Sequence, residues 1–129
     1  MAERRYLVIG GGIAGVSAAE AIREQDPSGR IVLLSAEREL PYARPLLSKA
    51  PLLSPEMKKL ALHPQKWYTD RDIELRLGVA ARHLDTQRRT VDCGGETLPY
   101  DRCVLALGAN NFIPPFQRRE EVPLCGLRT

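Results

Sequence analysis

Polar and apolar positions along this chain fall into blocks whose period changes sharply. Residues 5–9 (RYLVI) form a short apolar run, the pattern of a strand buried on both faces of a parallel sheet. Three glycines interrupt the run at Gly10, Gly11 and Gly12. Over residues 13–25 the period becomes helical, with Ile13, Val16, Ala19 and Ile22 on one face. The segment "DPSG" at 26–29 ends that helix, and "RIVLLS" at 30–35 supplies a second apolar strand. Strand, helix and strand together take about thirty residues, the length a right-handed parallel crossover requires.

A proline-rich stretch follows, "ERELPYARPLLSKAPLLSPEMKKL", whose prolines at 41, 45, 51 and 55 allow only short helices, starting at Pro45 and at Pro55. Irregular segments of that length inside compact domains are usually functional or disordered, so this one is a candidate part of a site. "HPQKWYTDRD" at 63–72 predicts a helix with Pro64 in its first turn. The pattern then turns to strands, at 73–78, 79–85, 89–93 and 96–101, with Gly94 and Gly95 marking a hairpin between the last two. "RCVLALG" at 102–108 is again a continuous apolar run. The expected fold is α/β and Rossmann-like, with a parallel sheet ordered from the strands at 73, 30, 5 and 102 and a small antiparallel β-meander over 79–99 packed on one face.

The glycines gain meaning from this setting. Gly10, Gly12 and Gly15 follow a strand and open a helix, as a dinucleotide-binding turn requires. One glycine allows the tight turn, one lets backbone approach a pyrophosphate, and one lets helix pack on strand. The anion then meets the free N–H groups and the positive end of the helix dipole. An acid is expected about twenty residues further on to accept hydrogen bonds from ribose hydroxyls, and Glu37 stands at the end of the second strand.

Composition narrows the reading. The 129 residues suffice for one domain with a core, and 43% of them are hydrophobic. The net charge of +3 comes from Lys and Arg scattered among acids, so no nucleic-acid surface is indicated. The longest apolar runs, such as 103–107, fall far short of the roughly 18 residues of a membrane span, and the first residues lack a signal-peptide pattern, so the cytoplasm is the expected location. Cys93, Cys103 and Cys125 show neither CxxC nor His-paired spacing, so they indicate no disulfide framework and no metal site. His63, His83, Trp67 and Tyr68 suit packing or surface roles better than catalysis.

The segments "VIGGGIAGVSAAEAI", "LLSAERELPYARPLLSKA", "LPYDRCVLALGA" and the closing "LRT" resemble the FAD-binding front portion of the FAD-dependent pyridine nucleotide oxidoreductase family. The resemblance is to the branch of NADH-dependent rubredoxin, ferredoxin and nitrite reductases, whose members carry a similar PYxRPxLSK stretch. It implies that residues 10–15, including Gly10, Gly12, Ala14 and Gly15, cradle the FAD pyrophosphate and that Glu37 binds the adenosine ribose. Arg44 and Lys49 would reach the pyrophosphate and the isoalloxazine, with Lys49 near the reactive N5 side as the catalytic candidate. Ala81, on the first strand of the meander, would meet the adenine through its backbone. Ala106 and Gly108 would lie along the cofactor, and Arg128 would contact it.

Two departures from the family pattern stand out. Where many relatives read ATG, this chain has Ala106, Leu107 and Gly108, so only backbone contacts carry over. No Cys lies between Glu37 and Ala50, so a substrate disulfide reduced through the chain's own thiol is not expected. The resemblance further implies that residues 1–129 are the N-terminal part of an FAD-binding domain, with about another 250 residues in a whole member, including an NAD(P)H-binding domain and a returning segment. The implied activity passes electrons from NAD(P)H through FAD to a small redox protein or an internal redox centre, in a possible homo-oligomer, and the chain alone would be inactive. An FAD-binding part of an amino-acid or opine-type dehydrogenase and a non-enzymatic nucleotide-binding module are the alternatives.

Overall fold

The computed structural model of the chain describes residues 3–49, 60–115 and 126. Four strands form a parallel sheet: β1 (Arg5–Ile9), β2 (Arg30–Ser35), β3 (Ile73–Leu77) and β7 (Arg102–Leu105). Their order is β3-β2-β1-β7, the order expected from the sequence. Three short strands, β4 (His83–Asp85), β5 (Thr90–Asp92) and β6 (Thr97–Pro99), form a separate antiparallel meander. Gly94 and Gly95 turn between β5 and β6 with φ of 76° and 150°, backbone that favours glycine.

The continuous apolar runs of β1 and β2 arise because both faces of the sheet are covered. On one face Leu7, Ile9, Val32 and Leu34 pack with Val91, Leu98 and Tyr100 of the meander and its exit. On the other, Val8, Ile31, Leu33 and Ile73 pack with Val16 and Ala19 of helix α1 (Ile13–Gln25) and Tyr68 of helix α2 (Gln65–Asp70). The result is three layers with the sheet in the middle, and odd and even positions of each strand feed different cores. Arg23 fastens α1 to the turn between α2 and β3. Its guanidinium donates to the carbonyls of Arg71 and Asp72 at 2.8 Å each, and also to those of Asp26 and Pro27.

Three local expectations change. Ile13, assigned to one face with Val16 and Ala19, is 62% exposed, whereas Val16 and Ala19 are buried, so the covered part of α1 begins a turn later. The strand expected over 79–85 shortens to β4, and Ala81 lies before it in an extended connection. The cause is competition for backbone groups. Gly78 N–H donates to the Glu37 carbonyl and Val79 N–H to the Ser35 carbonyl, so the chain here extends the end of β2 and joins the meander only from Arg82 onward. Pro45 does start a short helical turn, but of the 3-10 type, over Arg44–Leu46, whereas the helix expected at Pro55 lies outside the described residues.

Candidate functional site

A cleft of about 470 Å³ opens at the C-terminal ends of β1 and β2. This is the crevice of an open α/β sheet where strand order reverses: β2 continues the sheet to one side of β1 and β7 to the other. Its floor is Ile9 with Gly10, Gly11 and Gly12, one wall is residues 34–37 with Arg44, another is residues 79–81, and residues 106–111 close it from the β7 side.

The glycines differ in what the fold asks of them. Gly10 has φ of +121°, and a Cβ there would collide with the Ala106 carbonyl. A Cβ on Gly15 would strike the Gly10 carbonyl oxygen, so both residues are glycine because protein backbone lies against them. Gly12 is different. Its φ is −88° and no atom of the described residues lies within 4 Å of a Cβ built on it, so the described fold makes no demand for glycine at this position. Gly12 is the N-cap of α1, without a side-chain cap and without an acidic residue in the first turn. The first N–H groups of the helix, those of Ile13 and Ala14 among them, thus meet no capping side chain, the arrangement in which a helix end can receive an anion. Gly11, to which sequence reasoning assigned no role of its own within residues 10–15, packs on Ser35, whose side chain a Cβ there would strike. Its signal was the unbroken GGG itself.

Glu37 follows the end of β2, its carbonyl held by Gly78 N–H at 2.8 Å. Its carboxylate accepts the Tyr42 hydroxyl at 2.7 Å and pairs with the Arg44 guanidinium. Arg44 also donates to the Tyr42 hydroxyl at 3.2 Å. Tyr42 itself is buried, and its segment is tied to the return of the loop by Ala43 N–H to the Leu60 carbonyl and Leu62 N–H to the Pro41 carbonyl. Tyr42 is a residue the sequence did not single out.

The structure thus brings Gly10, Gly12, Glu37, Arg44, Ala81, Ala106 and Gly108 to one cleft. Ala14 and Gly15 stand behind the glycine turn in the first turn of α1. Lys49 is exposed at the end of the 3-10 turn, its N–H on the Leu46 carbonyl, and it is not among the residues of the cleft wall. Arg128 lies outside the described residues, although Gly126 is described and sits against the Asn111 side chain at the cleft rim. Asn110 and Asn111 add polar side chains to the β7 side, and the composition of the tail gave no sign of this.

The remaining candidates fall away from the cleft. His63 stacks on Trp67 with ring centroids 3.9 Å apart, a packing role as expected. Cys93 and Cys103 are free thiols whose pKa burial raises, the opposite of an activated thiolate. Among the described residues no cluster of His, Cys, Asp or Glu could hold a metal ion, and no helix is long and apolar enough to cross a membrane.

Comparison with known proteins agrees with this architecture. The family model described as pyridine nucleotide-disulphide oxidoreductase matches residues 4–128. The chain is 43% identical over 107 residues to the ferredoxin–NAD(+) reductase component of the anthranilate 1,2-dioxygenase system of Burkholderia cepacia, covering 81% of this chain and 26% of that one. It is 38% identical over 125 residues to rubredoxin-NAD(+) reductase of Pseudomonas putida, covering 95% of this chain and 32% of that one. The crystal structure of the ferredoxin reductase for the CYP199A2 system from Rhodopseudomonas palustris superposes with a TM-score of 0.81 at 34% identity, over 88% of this chain and 28% of that one. The chain therefore spans between about a quarter and a third of the length of these relatives.

Proposed function

Because this chain belongs to the pyridine nucleotide-disulphide oxidoreductase family, we propose that it is the FAD-binding part of an NAD(P)H-dependent flavoprotein reductase. One observation carries the reading most directly. Gly12 needs no glycine for packing, yet it leaves open the space over an uncapped helix N-terminus, in the cleft that also holds Glu37. An adenine dinucleotide supplies a pyrophosphate for the helix end and a ribose diol for the lone pairs that Tyr42 and Arg44 leave on the carboxylate.

In this reading the N–H groups of residues 12–15 hold the pyrophosphate, Glu37 accepts the ribose hydroxyls, and the backbone of Ala81 borders the adenine. Ala106 and Gly108 line the cofactor along the β7 side, and Arg44 and Arg128 add positive charge. When bound, FAD takes a hydride from a nicotinamide and passes electrons on singly. Lys49 is proposed to approach the flavin ring, where an ammonium favours the added negative charge and so raises the reduction potential. The acceptor is a small redox protein of the ferredoxin or rubredoxin kind, the substrates named for the relatives in Burkholderia and Pseudomonas. The cytoplasm, a compartment with a nicotinamide pool, is the proposed location.

Titration with FAD of the whole protein that carries these residues, freed of its own flavin and followed by flavin fluorescence, tests the proposal. Saturable 1:1 binding that FMN does not match is expected, since FMN lacks the adenosine and the second phosphate. Equal affinity for FMN, or no binding of FAD, would sink the assignment. With FAD bound, Lys49→Met is expected to lower the flavin midpoint potential.

A further inference from the structure

The carboxylate assigned to the ribose is not a lone side chain. Tyr42 donates to Glu37 Oε2 at 2.7 Å, Arg44 Nη2 pairs with Glu37 Oε1, and Arg44 Nη1 donates to Tyr42 Oη at 3.2 Å. The three side chains close a ring, and the Arg44 guanidinium also lies over the Tyr42 ring, 5.2 Å from its centroid. A tyrosine hydroxyl has one proton to give. Since Arg44 donates to its oxygen, that proton is directed at Glu37. Each carboxylate oxygen is thereby held by one donor, and each keeps a further lone pair for a ligand.

We propose that Tyr42 is a positioning residue for dinucleotide binding, acting through Glu37 and together with Arg44 to fix the carboxylate in the orientation that receives the ribose diol. The inference rests on the reading of the cleft as an FAD site and goes beyond it, because Tyr42 lies outside the cleft wall and reaches the ligand only through its neighbour. Free rotation of a glutamate side chain would have to be lost at each binding event, whereas the ring removes it beforehand. The same ring joins two separate elements. Glu37 belongs to the end of β2, while Tyr42 and Arg44 belong to the loop anchored by the Leu60 and Pro41 backbone bonds, so this loop's position sets the ribose subsite.

A double-mutant cycle on FAD affinity tests this. Tyr42→Phe keeps the buried ring and its contact with Arg44 and removes only the hydroxyl. It is expected to weaken FAD binding about 5- to 10-fold, within the range of one ordinary hydrogen bond. In a chain already carrying Glu37→Gln the same change should matter less than about twofold, because the partner that transmits it has lost its charge. An equal loss in both backgrounds, or no loss in either, overturns the proposal. Arg44→Lys, measured in the same two backgrounds, keeps the test decisive should Tyr42→Phe disturb folding. Its loss should likewise be larger with Glu37 present, and equal losses overturn the proposal. A whole wild-type protein, carrying these residues, that fails to bind FAD overturns the reading of the site and this inference with it, whereas wild-type binding with additive losses removes the inference alone.

Discussion

At the scale of single residues, the glycine turn separates what the fold needs from what a ligand needs. Gly10 and Gly15 are fixed by contact with backbone, of Ala106 and of Gly10 respectively, while Gly12 faces open space at ordinary φ. Gly10→Ala and Gly15→Ala should therefore each destabilise the chain by about 2–4 kcal/mol, through forced backbone movement. Gly12→Ala should cost about 1 kcal/mol or less, the difference between glycine and alanine as an N-cap. It should nonetheless weaken FAD tenfold or more, because the methyl group takes the place of an approaching phosphate. Urea denaturation set beside FAD titration measures the two effects independently. A Gly12→Ala chain that binds FAD like the wild type would mean that the space over the helix end is not the pyrophosphate seat.

At the scale of elements, α2 carries a cost that no ligand explains. Tyr68 is fully buried against the sheet, and its hydroxyl has no hydrogen-bond partner among the described residues. Burial pushes its pKa up to about 12. Tyr68→Phe should raise stability by about 1 kcal/mol, since the ring stays and the unpaired hydroxyl goes. The pH dependence has a definite sign. A phenol raised in the folded state stays protonated while the unfolded chain ionises near its ordinary value of about 10, so stability falls as pH climbs from there toward 12. Thermal melts across that range should show a shallower alkaline decline in Tyr68→Phe, and identical slopes would place water or another donor at the hydroxyl. The elements also show what the sequence could and could not reveal. Apolar runs and the glycine turn gave β1, α1, β2 and β7 and their order, because burial on both faces leaves a continuous apolar signature that local pattern reveals. The true start of β4 was hidden, because it depends on the Ser35 and Glu37 carbonyls capturing the N–H groups of Val79 and Gly78 from a distant strand. The pairing of Glu37 with Tyr42 and Arg44 was hidden for the same reason. Tyr42 and Arg44 lie five and seven positions after Glu37, and among the described residues the Pro41–Leu62 and Ala43–Leu60 backbone bonds set the return.

At the scale of the whole molecule, the cleft is where the two cores meet. Its floor rises from β1 and β2, which belong to both. Residues 79–81 lead into the meander of one core, and residues 106–111 extend β7 at the edge of the sheet. A ligand lying across all of these would tie the meander to the parallel sheet, and in a two-state chain its binding energy adds to the stability of the whole. With free FAD at a hundred times its dissociation constant, the added stability should be about 2.7 kcal/mol. The distribution of that gain distinguishes an extended dinucleotide from a phosphate bound at the helix end alone. Hydrogen exchange with and without FAD should show slowed amides at residues 10–15, at 79–81 and at 106–109 together, because the cofactor would span the cleft from the turn to the adenine wall and along the β7 extension. ADP should protect the first two groups and leave 106–109 unchanged, since it lacks the flavin half. Protection confined to residues 10–15 with either ligand would reduce the site to an anion-binding helix end, and the dinucleotide reading would then fail however tightly FAD was held.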